Sequence, residues 1–197
     1  MGKDKLRKFR ENETFSCLIQ PPMQDVFNKI HPLSGKWHQE VFHNDNPIVL
    51  ELGCGKGEYT IALAARNPDI NYIGVAIKGA RLWKGAKYAT EHNMQNVAFL
   101  RTRIYFIKGL FGPSEVDEIW ITFADPQPKR PGKRLTSPYF LERYKSFLKP
   151  GGIINLKTDS QLLHEYTMEI AAESGFELLE HNNDIYGSGM ADENDIL

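Results

Sequence analysis

Residues 49–60 read "VLELGCGKGEYT". A mostly apolar run, interrupted by Glu51, ends on Gly53; Gly55 and Gly57 follow at alternate positions, and a helix-forming stretch opens at Glu58. The pattern is a strand, a glycine turn and a helix, the opening unit of a ligand-binding parallel sheet. Glycine serves there because a chain without a Cβ can turn sharply and approach a ligand closely. The spacing G-x-G-x-G is one residue shorter than the G-x-G-x-x-G of dinucleotide sites.

The alternation continues outward from this turn. Strands are predicted at "PIVLELG" (47–53), "NYIGVAI" (71–77), "NVAFLR" (96–101), "VDEIWITFA" (116–124), "IINLKT" (153–158) and "FELLEH" (176–181). Helices are predicted at "EYTIALAARNP" (58–68), "GARLWKGAKYATEHN" (79–93), "SPYFLERYKSFLKPGG" (137–152) and "SQLLHEYTMEIAAESG" (160–175). The third helix has a Ser-Pro start and a Pro-Gly stop, and the fourth ends on Gly175. Strands alternating with helices predict an α/β fold with a doubly wound, mostly parallel sheet and right-handed crossovers. Ligands of such sheets bind at the carboxyl ends of the strands. That rule puts Gly53, Gly55, Gly57, Ala76, Arg101, Asp125, Thr158 and Asp159 on one rim. Residues 1–46 mix charge with "QPP" and "HPLSG" and read as an irregular N-terminal arm with at most short helices. Residues 47–197 read as the single folded domain.

A chain of 197 residues can bury a full core without staples. Cys17 and Cys54 belong to no paired spacing, and the six histidines show no metal-ligand spacing. No metal site is expected, and a reducing cytoplasm is the natural setting. No apolar run is long enough to span a bilayer, and "MGKDKLRKFR" is not a signal peptide. The net charge of −1 decides nothing about nucleic acid, but its distribution is informative. Residues 1–10 carry a net +4, residues 78–108 a net +6 and residues 129–149 a net +6, whereas residues 180–197 carry five acids and no Lys or Arg. Segregated sign suggests a basic face for nucleic acid; the plain alternative is a set of solvated helix surfaces.

The short glycine turn with Glu51 before it suits a nucleoside bearing an amino-acid chain, such as S-adenosylmethionine, better than a pyrophosphate. In such folds an acid about 20 residues further on holds the ribose hydroxyls. Ala76 stands at that position, and no Asp or Glu lies between Asp69 and Glu91. After the fourth strand comes "FADPQPKRPGKRLTS" (123–137). Proline restricts the residue before it to extended geometry, so Asp125 sits on a fixed path. An ionised carboxylate only accepts hydrogen bonds, which suits it to the N1–H and N2–H₂ edge of guanine. Lys129, Arg130, Lys133 and Arg134 would then lie on phosphates. The alternative is a capped loop with solvated cations. In "LKTDS" (156–160), Lys157, Thr158 and Asp159 end a strand on the same rim, while Asp159 or Ser160 also suits a helix cap. Trp37, Trp83 and Trp120 read as packing residues rather than base-stacking platforms.

With these residues assembled, the chain resembles the bacterial tRNA (guanine-N7)-methyltransferase family. The resemblance runs from "LSGKW" (33–37) through the glycine turn, "YIGVAIKGARLWKGAK" and "FADPQPKRPGKRLTSPYFLERYKSFLKPGG" to "LKTD". It implies a class I, Rossmann-like methyltransferase fold and methyl transfer from S-adenosylmethionine to N7 of a guanine in the tRNA variable loop. It implies that Asp125, Lys157, Thr158 and Asp159 line the guanine pocket and that Glu51, Gly53, Gly55 and Gly57 belong to the cofactor site. Ala76 replaces the family's ribose acid, and Thr102 and Arg103 occupy the place of an Asp-Ala pair in that site. Ala124-Asp125-Pro126-Gln127 replaces Pro-Asp-Pro-Trp. The family's C-terminal Thr-x-aromatic-Glu motif and its seventh, antiparallel strand are not found before Leu197. Three other readings stay open: a methyltransferase for another substrate, a tRNA-binding module without catalysis and, more distantly, a dehydrogenase. The oligomeric state is left open.

Overall fold

The glycine turn ends a strand at the heart of the sheet. In the computed structural model, which describes residues 2–185 and 187–189, β2 (Ile48–Leu52) is buried at all five positions, as a strand with a parallel neighbour on each side should be. On one side lie β3 (Asn71–Ala76), β4 (Val97–Arg101) and the short β1 (Leu18–Ile19). On the other lie β5 (Val116–Thr122) and β6 (Leu148–Lys157). The order is β1-β4-β3-β2-β5-β6, and every recorded pairing is parallel. The order reverses between β2 and β5, which opens a crevice beyond their carboxyl ends. The crossovers carry α3 (Glu58–Arg66), α4 (Gly79–Glu91) and α5 (Pro138–Lys145), and α6 (Gln161–Glu173) follows β6. Alternate strand residues feed two cores: Leu50, Ile73 and Ile119 on one face, Val49, Tyr72 and Phe99 on the other. No helix among the described residues is long and apolar enough to cross a membrane.

Three expectations are corrected. The N-terminal arm is not irregular: α1 (Gly2–Asn12) is a full helix against α4, and β1 joins the sheet beside β4. The helical spacing was present in the charges, since Arg7 pairs with both Asp4 and Glu11, and Lys8 with Asp4. Glu11 Oε2 accepts a hydrogen bond from Trp83 Nε1 at 2.6 Å, and Asn12 Nδ2 donates to Gly79 O at 2.9 Å. Second, "FELLEH" (176–181) is not a strand: β6 has no further neighbour among the described residues, and a strand requires a partner for its backbone groups. Third, the helix that begins at Pro138 stops at Lys145, and "LKPGG" belongs to β6. Leu148 pairs with Val116, and the register then shifts before Glu118 meets Ile153. Pro150 donates no hydrogen bond and Gly151 has φ 76°, which explains an irregularity there. The acidic stretch 180–197 lies partly outside the described residues.

The "LSGKW" segment is anchored by a residue that sequence reading passed over. The buried Glu115 carboxylate accepts hydrogen bonds from Gly35 N (2.8 Å), Trp37 N (2.9 Å) and Gly112 N (2.7 Å). Trp37 is fully buried, donates from Nε1 to Leu110 O at 2.7 Å and stacks on Phe111 at 5.0 Å.

Close packing of helices on the sheet depends on Phe99. Its ring is fully buried in a slot bounded by Gly57, Gly74 and Gly85. A Cβ on Gly85 would stand 2.5 Å from Phe99 Cζ and 2.8 Å from Lys56 O. Alanine at this helix-interior position would gain about 1 kcal/mol in propensity. The overlap involves backbone as well as a confined ring, and overpacking costs about 1–3 kcal/mol. Gly85→Ala is therefore expected to lower stability, by up to about 2 kcal/mol, despite the better helix former, read as a fall in the urea midpoint. A stabilised variant would show that Phe99 is free to shift.

Candidate active site

Gly53, Gly55 and Gly57 all have left-handed backbone, with φ of 87°, 61° and 79°. Two of them serve different ends. A Cβ on Gly57 would overlap the Phe99 ring, so this glycine permits α3 to pack. A Cβ on Gly53 would meet no atom within 4 Å, so this glycine opens onto the crevice. The turn is tied to the next strand by Gly53 N and Cys54 N, which donate to Val75 O at 2.8 and 3.2 Å.

Glu51 lies beneath the turn rather than in the crevice. Its carboxylate is buried and accepts from Thr60 N (2.9 Å), Thr60 Oγ1 (2.5 Å) and Thr122 Oγ1 (2.7 Å). Burial pushes its pKa above the ordinary 4.5, and the Thr60 and Thr122 hydrogen bonds oppose that shift. The residue thus joins β2 to the first turn of α3 and to the end of β5.

Beyond β3 and β4, Thr102 and Arg103 line a cleft of about 320 Å³ with Ile77, Arg101 and Phe106. Its other wall is Gln20, Pro21, Pro22, Met23 and Val26, from the segment that follows β1 and forms the short α2 (Met23–Val26). Thr102 is buried and its N donates to Ala76 O at 3.2 Å, whereas Arg103 is exposed. Ala76 is half-buried at the strand end and brings no carboxylate. Arg101 occupies this region instead: Nη1 donates to Gln20 Oε1 at 3.1 Å, and the guanidinium lies 4.9 Å from the Phe9 ring centre. Nothing in residues 18–26 marks them as part of this wall in the sequence; their place follows from β1 pairing with β4.

The loop after β5 is built around Asp125. Oδ1 accepts from Gln127 N at 3.0 Å, closing a turn that puts Gln127 at φ 45°. The side chain is exposed, and Oδ2 has no partner among the described residues. Lys129, Arg130 and Lys133 are exposed too. Arg134 is set apart from them: it is buried, donates from Nε to Pro126 O at 2.9 Å and lies 4.2 Å from the Tyr166 ring centre. Its stated place on phosphate does not match this position, because the guanidinium is turned inward and clamps the loop.

The third group of expected residues divides as well. Lys157 is buried, its Nζ is 5.5 Å from the Tyr59 ring centre, and its carbonyl accepts from Phe123 N at 2.8 Å. Thr158 Oγ1 accepts from Ser160 N, and Asp159 is exposed. Ser160 is the helix cap, with Oγ accepting from Leu163 N at 3.3 Å. Sequence reading also missed Phe123 and Tyr59. Phe123 is 52% exposed with φ 48°, and its ring centre is 6.4 Å from that of Tyr59. Their adjacency to Asp125 and to Gly57 in the sequence is the one signal that pointed to them.

The raised pKa of Glu51 has a consequence for stability. A carboxyl raised in the fold contributes fully below its unfolded value near 4.5, and that contribution is lost as pH rises through the folded value. A glutamine retains an acceptor for Thr60, and the Thr122 hydroxyl can rotate to accept from the amide. Glu51→Gln is expected to hold its stability through that pH window while the native protein loses some. Glu51→Ala should lose about 1–3 kcal/mol by stranding the buried Thr60 N–H. Urea unfolding from acid to neutral pH measures both; parallel curves for native and Gln proteins would contradict the assignment.

The same segments carry the likeness to known proteins. A family model described as a putative methyltransferase matches residues 45–191, which span β2 through α6. The tRNA (guanine-N(7)-)-methyltransferase of Christiangramia forsetii is 54% identical over 187 residues, covering 94% of this chain and 84% of that protein. The protein of the same name from Bacteroides fragilis is 50% identical over 193 residues, covering 98% and 77%. Among solved structures, the 16S rRNA methyltransferase KamB superposes with a TM-score of 0.60 at 18% identity, covering 86% of this chain and 88% of its own, a likeness of fold. Identity at this level over nearly the whole chain places it in the tRNA (guanine-N(7)-)-methyltransferase family.

Proposed function

We propose that the protein transfers the methyl group of S-adenosylmethionine to N7 of a guanine in the variable loop of tRNA. The observation that carries this reading is Asp125: an exposed carboxylate on the strand rim, fixed by one oxygen and open at the other. An acceptor held in this way matches the two donors on the guanine edge. Family membership supports the same substrate. A tRNA substrate and two free cysteines suit the cytoplasm.

The residues fit a nucleoside with an amino-acid chain. Gly53 leaves open space where a Cβ would stand, and the cleft beside Thr102 and Arg103 has apolar walls in Pro22, Met23, Ile77 and Phe106. Gly53 and Gly55 would hold the amino-acid end, Ala76 would adjoin the ribose, and Thr102 and Arg103 would adjoin the base. The bound cofactor supplies an electrophilic methyl on a sulfonium. Guanine N7 has a free lone pair and no proton to lose, so no general base is required. Holding the two reactants in line can supply about 7–11 kcal/mol. Asp125 orients the base and offsets the positive charge that grows on the purine. Lys129, Arg130 and Lys133 lie where RNA phosphates can reach them.

Incubation of the protein with tRNA and labelled S-adenosylmethionine, followed by nucleoside analysis, is expected to yield 7-methylguanosine. Label in another nucleoside or in protein would refute the reading; tRNA binding without label would select the non-catalytic reading that Ala76 favours. Asp125→Asn is the sharper variant. Its amide oxygen can keep the turn to Gln127 N, but it sets N–H against the guanine donors. Activity should fall about 100-fold or more while cofactor affinity stays within a few-fold, the pattern of a lost charged acceptor. Near-native activity would reduce Asp125 to a turn former.

Each phosphate contact displaces counterions and adds about 0.7–0.9 to the slope of log K against log salt. Replacing Lys129 and Arg130 together by Ala is expected to reduce that slope for tRNA by about 1.5 without changing cofactor affinity. An unchanged slope would return these side chains to solvent.

A further inference from the structure

We propose that Phe123 is the surface on which the target guanine stacks, with Tyr59 behind it. This rests on the methyl-transfer reading above and goes beyond it by assigning what holds the face of the base. Phe123 is the first residue after β5, two positions before Asp125, on the crevice where the strand order reverses. Half of its surface is open to solvent, although the packed core lies directly behind it at Ile121 and Thr122.

The backbone at Phe123 has φ 48°. Left-handed geometry costs an aromatic residue about 1–3 kcal/mol and persists where the surroundings enforce it. Here the enforcing contact is Phe123 N donating to Lys157 O at 2.8 Å, which extends the β5–β6 ladder beyond Thr122. A glycine would adopt this backbone freely, so the bulky ring is not what the local fold asks for. Tyr59, from the first turn of α3, lies with its ring centre 6.4 Å away and tilted by 57°, and Lys157 Nζ is 5.5 Å from the Tyr59 ring. Phe123 is thus backed by Tyr59 on one side and half open to solvent, two positions before Asp125 in the same loop.

The chemistry gives such a ring a task. As the N7 lone pair forms its bond to the methyl carbon, the C–S bond breaks and its electron pair stays on sulfur. No proton moves, and the positive charge passes from sulfur to the purine. An aromatic face stacks on any base, and it attracts a cationic ring more strongly than a neutral one. Stacking on Phe123 would therefore strengthen as the reaction proceeds. That is the condition for raising the rate rather than only tightening the substrate.

The test compares Phe123→Leu with Phe123→Trp. Leucine keeps an apolar Cβ-bearing side chain on the same backbone, so the comparison isolates the aromatic face. Leu is expected to lower kcat for tRNA methylation by about 10- to 100-fold, with a smaller rise in KM. Trp is expected to stay within a few-fold of the native enzyme. Cofactor affinity by calorimetry and the urea midpoint should be unchanged in both. Native kcat in the Leu variant would overturn the proposal and leave the guanine reading intact, provided that the native protein makes 7-methylguanosine. Equal losses of cofactor affinity and rate would overturn it by moving the ring to the cofactor. Absence of 7-methylguanosine from the native protein would remove both readings together.

Discussion

One buried carboxylate joins the parts of this structure that meet at the site. Glu51 sits in β2, receives the backbone and hydroxyl of Thr60 at the start of α3, and receives Thr122 at the end of β5. The glycine turn leaves from the first of these elements and enters the second, and the Asp125 loop leaves from the third. A polar group this deep is tolerated because three donors from two other elements, α3 and β5, point at it. The consequence is positional: the two segments read as cofactor turn and base-binding loop have their roots fixed to the same side chain.

Beyond those roots, the rim divides labour by burial. Arg134 and Lys157 are cations in sequence but struts in space, one stacked on Tyr166 and bonded to Pro126 O, the other beside Tyr59. They hold the Asp125 loop and Phe123 from behind. Lys129, Arg130 and Lys133 remain in solvent, where charge acts at a distance on a polyanion and is screened by salt. The N-terminal residues complete the opposite end of the rim. β1 pairs with β4, and the chain that follows it walls the cleft next to Thr102 and Arg103.

The sequence by itself determined the architecture. Five strands, β2 through β6, were legible because buried parallel strands are continuous apolar runs, and α3, α4 and α6 because helical periodicity persists over three turns or so. The glycine spacing named the turn, and Asp125 followed from its place at a strand end. Boundaries were less secure: the helix stop read at Pro150-Gly151 is not one, because the helix ends at Lys145 and the Pro-Gly pair falls inside β6, where a proline and glycine mark a strand irregularity.

Tertiary structure decided the rest, and the reason is that burial and pairing depend on residues far apart in the chain. The two residues Leu18 and Ile19 became a strand only because β4 offered an edge, and "FELLEH" did not because β6 met no further strand among the described residues. Cations of equal charge in one loop were sorted into clamp and surface by the presence of Tyr166, over 30 residues away. Phe123 looked like one more apolar strand residue; its left-handed backbone and open face come from its bond to Lys157 O across the sheet. Glu51 was read as part of the cofactor site and Glu115 was passed over; the structure gathers inward donors around both, and no local pattern records which distant groups a buried carboxylate will satisfy.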